Sequence, residues 1–445
     1  MARPADRMAA TSNLAAFSKA TDLRQRLLFT LGALVIYRLG TYIPVPGIDP
    51  AALAEVFSRN ASGILGMFDM FSGGSLGRMT IFALTIMPYI TASIIMQLMA
   101  AIVPSLEALK KEGESGRKII NQYTRYLTVA LASFQGYGIA IALEQATGVV
   151  IDPGLFFRVT TVVTLVGGTL FLMWLGEQIT ARGVGNGISL IIFSGIVANL
   201  PVALAGMFEL GRTGALSSIL IMLFLVLAIF VIAFIVFIER AQRRILIQYP
   251  NRRMGNRMFG GEASHLPLKI NVPGVIPPIF ASSLLLMPVS ILNLTNTADG
   301  GAGWLVTLNA MLGRGQPLYL GIYVGLIVFF AFFYTAIVFN PSDTAENLRR
   351  YGGYVPGIRP GQPTADYLDY VLTRLTVLGA IYLSAVCILP EILISRYSVP
   401  FYFGGTSLLI VVTVTLDTVN QIQSHLMAHQ YEGLIKKANL RRKMR

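Results

Sequence analysis

The chain has 445 residues, of which 54% are hydrophobic and only 13% charged, with a formal net charge of +13. Soluble globular chains carry about 25% charged residues, and the apolar residues here come in blocks long enough to cross a hydrocarbon layer of about 30 Å. A string of soluble domains is therefore excluded. The basic excess, which in a soluble chain would point to nucleic acid, is read as topogenic, because Lys and Arg collect in cytoplasmic loops and fix orientation.

The N-terminal segment, 1–26, is polar and mixed in charge and shows no small-residue cleavage signature after the first apolar run, so the first span is expected to be retained. Apolar blocks of spanning length then run at about 27–43, 75–103, 122–143, 155–176 and 187–207. Five more follow at about 216–238, 273–294, 318–339, 370–390 and 402–421, giving an all-α polytopic membrane protein with both termini on one side. The single Cys387 lies inside a block and is read as a packing residue, with no intrachain disulfide available.

Charge orients the spans. Of the 35 Lys and Arg, all but Arg38, Arg59, Arg78, Arg158, Arg212, Arg314 and Arg396 fall on the termini and the loops of the same side. By the positive-inside rule both termini are cytoplasmic. Two cytoplasmic loops, 239–272 and 340–369, are long, basic and punctuated by Gly and Pro, beyond what topology alone requires. Such loops on a rigid scaffold are candidates for docking.

Two features suggest what lies inside. The stretch 60–77 is moderately apolar, broken by glycines and too short to span before Met79, where a proper helix is expected to begin. Lipid cannot satisfy its amides, so it reads as a short half-helix folded into the protein interior rather than exposed to hydrocarbon. Five spans on each side of the middle also invite an inverted repeat. Pro88-Tyr-Ile-Thr-Ala-Ser93 in the second span and Pro278-Ile-Phe-Ala-Ser-Ser283 in the seventh occupy corresponding places.

The same residues weigh against other chemistries. His265, His425 and His429 fall outside the spans, which leaves no paired-His metal site in the membrane. Gly183-Val-Gly185-Asn-Gly187 lacks the full spacing of a dinucleotide loop and sits between two spans, and no phosphate loop ending in Gly-Lys-Ser/Thr occurs. A solute transporter needs clustered intramembrane charge, for which Asp417, toward a block end, is the one candidate. The chain is expected to use no cofactor and to be no enzyme.

Motifs along nearly the whole chain carry a family resemblance. They include IPVPGID at 43–49, MFSGGSLGR at 70–78, IFALTIMPYITASIIMQL at 81–98 and KKEGESGRK at 110–118. FLMWLGEQITARGVGNGISLIIF at 171–193, HLPLKIN at 265–271, VFNPSDTAENL at 338–348, VPGIRPG at 355–361 and VPFYFGGTSLLIVV at 399–412 continue it. With these the chain resembles the SecY family, the channel subunits of the bacterial Sec protein translocon.

The resemblance implies ten transmembrane helices in two pseudo-symmetric inverted halves of five around a central pore, sited in the bacterial inner membrane. The halves would run 27–207 and 208–421, between the cytoplasmic segment 1–26 and a basic tail, 422–445. A plug at 60–77 would present Ile64, Leu65, Met67, Phe68, Met70 and Phe71. A pore ring would be formed by Ile86, Ile90, Ile188, Ile192, Ile279 and Ile410, all isoleucine. A lateral gate between the second and seventh spans would use Thr91, Ser93, Gln97, Ser282 and Ser283. Ribosome and motor docking would fall to Arg252, Arg253, Arg257 and Arg359. The implied partners are the small membrane subunits SecE and SecG, the SecA motor ATPase, the ribosome, secretory and membrane-protein precursors, and lipid.

Overall fold

A computed structural model of the protein describes residues 21–60, 69, 72–146, 148–214, 217–249, 252–254, 257–259, 263–285, 316–397 and 405–443. The chain forms two compact units, 1–96 with 117–202 and 410–445, and 97–116 with 203–409. Among the described residues seven helices are long and apolar enough to cross a membrane. An eighth is reached if helices α3 (Met87–Ile102) and α4 (Pro104–Lys111), bent by 98° at Val103, count as one span.

The first unit draws on α1 (Thr21–Gly40), α2 (Pro50–Asn60), most of α3, α5 (Glu114–Gln145) and α6 (Leu155–Arg182), and on parts of α7 (Gly187–Arg212) and α13 (Gly405–Lys443). In α6 the buried positions Phe157, Thr161, Leu165, Gly168, Leu172, Leu175 and Ile179 recur at intervals of three and four, so one stripe faces inward. Gly168 is needed there, because a Cβ would overlap the Ile81 carbonyl. The glycine loop at 183–187 has a structural task. The Val184 amide donates to Thr30 Oγ1 at 3.0 Å, Gly185 to Gln421 Oε1 at 2.8 Å and Gly187 to Thr180 Oγ1 at 2.9 Å, tying α1, α13 and α6 to the start of α7.

The expected helix from Met79 is corrected: α3 begins only at Met87, and residues 73–86 run through turns. Met79 and Thr85 take positive φ, 43° and 53°. The segment instead borders residues 43–45, with Val45 N donating to Met79 O at 2.9 Å and Ile81 N to Ile43 O at 3.0 Å. Its apolar side chains, Met79, Phe82, Leu84 and Ile86, are buried in the unit's core. Hydropathy alone cannot distinguish such a buried run from a span.

The second unit holds α8 (Ser218–Arg240), α9 (Ile276–Leu285), α10 (Pro317–Val338), α11 (Pro341–Arg350) and α12 (Gln362–Tyr397). Ser217 caps α8 by accepting from Leu220 N, and Asn340 Oδ1 caps α11 by accepting from Ser342 N at 3.1 Å, with Pro341 in its first turn. The all-α class holds for the apolar helices, and the loop after α8 adds short strands to it. Strand β1 (Gln242–Gln248) pairs antiparallel with β4 (Ala263–Lys269), and β2 (Arg252–Met254) with β3 (Arg257–Phe259). Ile245 and Ile247 alternate with exposed neighbours, the period of a half-buried strand. Short alternation among charged residues does not register as an apolar block.

Candidate functional site

The six apolar plug positions, Ile64 to Phe71, lie outside the described residues. The seat from which that segment returns is described and is built from polar contacts. Asp69 closes it locally: its Oδ1 accepts from Gly77 N at 2.7 Å, and its carbonyl accepts from Gly74 N at 2.9 Å. Burial pushes the Asp69 carboxyl above the usual carboxylate range, against the pull of the Gly77 amide. From outside the segment, Arg38 Nη1 on α1 donates to Gly73 O at 2.8 Å, and Tyr37 OH to Ser72 O at 3.4 Å. Asn199 Nδ2 on α7 donates to Asp69 O at 3.4 Å.

Glycine is required at the centre of the seat. Gly73 has φ of +67°, and a Cβ there would stand 3.0 Å from Gly195 Cα and 2.9 Å from Arg38 Nη1. Beside it, the Arg38 and Arg78 guanidinium groups lie 5.3 and 4.5 Å from the Tyr42 ring centre. Arg38 Nη2 also donates to the Tyr42 hydroxyl at 3.4 Å. Arg38 is legible in the sequence only as a charge near a block end; its role depends on Gly73, 35 residues away.

Five of the six isoleucines expected in a ring belong to the first unit. Ile86 is 1% exposed and directly precedes α3, and Ile90 N donates to Ile86 O at 3.1 Å, so the two stay one helical turn apart. Ile188 and Ile192 stand four apart in the first turns of α7, with Ile192 buried and Ile188 half-buried, and Ile410 on α13 is 2% exposed. Ile279 is half-buried on α9, in the second unit. Of the residues expected at a gate, Thr91 Oγ1 donates to Met87 O at 3.1 Å and Ser282 Oγ to Ile279 O at 2.9 Å. Their protons therefore serve their own helices, which leaves their oxygens able to accept. Ser93 and Gln97 are half-buried on α3, and Ser283 is buried on α9.

The docking candidates sit on ordered structure. Arg252 and Arg253 lie on β2 and Arg257 on β3, with Arg257 registered against Met254. Arg359 is exposed in the loop before α12, and its carbonyl accepts from Thr364 Oγ1 at 2.8 Å. The ribbon and this loop are joined: Gln248 and Tyr354 exchange backbone hydrogen bonds at 2.9 Å each way. Asp417, the one candidate for an ion-coupling carboxylate, is exposed.

Apolar helices, a buried irregular segment ahead of α3 and a basic ribbon define a polytopic membrane protein. The family model for SecY matches residues 80–419. Curated relatives include the protein translocase subunit SecY of Rickettsia conorii, 58% identical over 431 residues that make up 96% of this chain and 99% of the relative. That of Escherichia coli is 54% identical over 425 residues, 94% and 95% of the two chains. The chain belongs to the SecY family. Its fold is also that of a solved structure described as a protein conducting channel, at TM-score 0.65 and 17% identity over 92% of this chain and 93% of that one. Sec61 in a canine ribosome-channel complex gives TM-score 0.63 at 16% identity, with the same coverage.

Proposed function

We propose that the chain is the protein-conducting subunit of a bacterial Sec translocon, passing unfolded secretory polypeptides across the cytoplasmic membrane and releasing membrane-protein helices sideways into lipid. The observation that carries this reading is the identity of more than half its residues, over nearly the full length of both chains, with relatives named protein translocase subunit SecY. Ten spans in two inverted halves, 27–207 and 208–421, would surround the pore, with cytoplasmic termini as the charge map favours.

The chemistry fits the task. An aliphatic collar of Ile86, Ile90, Ile188, Ile192, Ile279 and Ile410 disfavours a file of water and hydrated ions, yet yields around a chain of varied side chains. The plug, 60–77, would occlude the collar from outside. Thr91, Ser93, Gln97, Ser282 and Ser283 would close the lateral gate through weak interhelical hydrogen bonds that a hydrophobic signal helix replaces. Arg252, Arg253, Arg257 and Arg359 would meet ribosomal RNA phosphates or acidic faces of a SecA motor, while SecE and SecG clasp the outside. Translation or the motor supplies the energy.

Crosslinking of a stalled secretory precursor to probes at Ile86, Ile188 and Ile279 tests the reading. Contact at all three is expected; an engaged precursor that reaches none of them overturns it. Charge reversal by Arg359→Glu is expected to impair export while leaving the protein's own insertion intact, and normal secretion kinetics would remove that docking assignment.

A further inference from the structure

The docking reading leaves open how an event on the ribbon reaches the membrane. The ribbon is rigid within itself. Seven register pairs run from Gln242 opposite Lys269 to Gln248 opposite Ala263, and Ile270 N extends the ladder by donating to Ala241 O at 3.2 Å. The Gln248 and Tyr354 backbone bonds add the loop that carries Arg359. Beneath them Ile245, Leu268 and Val355 share one buried cluster with Leu368, Val371 and Leu372 of α12. The β1–β4 base of the ribbon, the loop at Val355 and the head of α12 therefore form one packed body.

That body leads into α9 through a buried polar joint. Asn271 is 2% exposed, and its amide nitrogen donates to Glu239 Oε1 at 2.6 Å, at the end of α8, and to Gly274 O at 3.2 Å, two residues before α9. Gly274 takes φ of +64°, a reversal that only glycine makes without strain. On α12, Gly379 lets the strand pass: a Cβ there would stand 3.1 Å from Ile270 O and 3.6 Å from Asn271 Cα. Tyr382, one turn further on, lies beside the Glu239 carboxylate. Asn271 Oδ1 is buried without a hydrogen-bond partner among the described residues. An apolar residue would avoid that cost, so what the position uses is the pair of amide protons.

We infer that Asn271, held by Glu239, is the positioning residue that couples the docking ribbon to α9, so that load on the ribbon is delivered to the start of that helix rather than dissipated in a loop. The inference rests on the docking reading above. The bond to Glu239 fixes the ribbon exit to α8, and the second bond fixes the turn from which α9 departs. Movement of the packed body relative to α8 must then rotate or break this joint, and α9 is the element directly attached to it.

The test uses the full chain in lipid nanodiscs, with nitroxide labels at the exposed positions Leu284 on α9 and Ile322 on α10 in a Cys387→Ala background, and empty ribosomes as the probe. Wild type is expected to bind ribosomes and to change its label distance on binding. Asn271→Leu, of similar volume without the donors, is expected to keep ribosome affinity within about twofold and to lose the distance change. Glu239→Gln keeps an acceptor oxygen for Asn271 and is expected to retain the change. A distance change that survives in Asn271→Leu overturns the coupling, as does its loss in parallel with ribosome affinity, which would make Asn271 a support of the docking surface. Loss in Glu239→Gln overturns the hydrogen-bonded joint. A wild type that binds without a distance change overturns the inference alone, whereas a wild type that does not bind overturns the docking reading together with it.

Discussion

The seat of the 60–77 segment and the β ribbon both hold non-helical chain against helices, and they do so with different forces. The seat relies on single directional bonds from Arg38, Tyr37, Asn199 and Asp69 to a backbone opened by Gly73 and Gly74. The ribbon relies on a seven-residue ladder over apolar side chains that include Ile245, Leu268 and Leu368. A net hydrogen bond stabilises by about 0.5–1.5 kcal/mol, or about 1.5–3 when one partner is charged, whereas each large buried side chain contributes about 1.5–3 kcal/mol and does so cooperatively with its neighbours. The seat is thus releasable by loss of a few bonds, and the ribbon is built to move as a whole.

Cutting into the ribbon is expected to cost most. Leu368 is fully buried, and Leu368→Ala should destabilise the second unit by about 2–5 kcal/mol, read as a lower midpoint of thermal unfolding in detergent; an unchanged midpoint would show that the ribbon does not depend on its apolar base. In the seat, Gly73→Val must adopt a positive φ and press a Cβ on Gly195. Left-handed strain alone costs about 1–3 kcal/mol, and ion leak through reconstituted vesicles is expected to rise more than tenfold.

Arg38→Ala removes a charged donor worth about 1.5–3 kcal/mol. It should raise leak less than Gly73→Val while leaving the unfolding midpoint near wild type, and a large fall in midpoint would place Arg38 in the global fold instead. Asp69→Asn gives the smallest effect. Because burial raises the Asp69 carboxyl in the folded chain, its protonated form is the one favoured there, so the seat should be tightest at low pH and loosen as pH rises through the raised value. Leak of the wild type should therefore climb with pH over that interval. The Asn variant, which cannot ionise but still accepts from Gly77, should be flat; equal slopes in both would remove Asp69 from the seat.

The sequence by itself fixed the class of protein, because apolar run length and the one-sided placement of Lys and Arg are one-dimensional properties that the membrane reads directly. Its motifs also supported the family. It did not reveal where α3 begins: residues 79–86 are as apolar as a span, and only their contacts with 43–45 and α6 make them core. Nor did it reveal the ribbon, whose strands are short and charged and whose stability comes from Leu368 and its neighbours far along the chain. The isoleucines were legible as residues, but their degree of burial was not. Arg38 with Gly73 and Asn271 with Glu239 were decided by tertiary structure alone, since a hydrogen bond between residues 32 or 35 positions apart depends on how helices pack, and no local pattern encodes that.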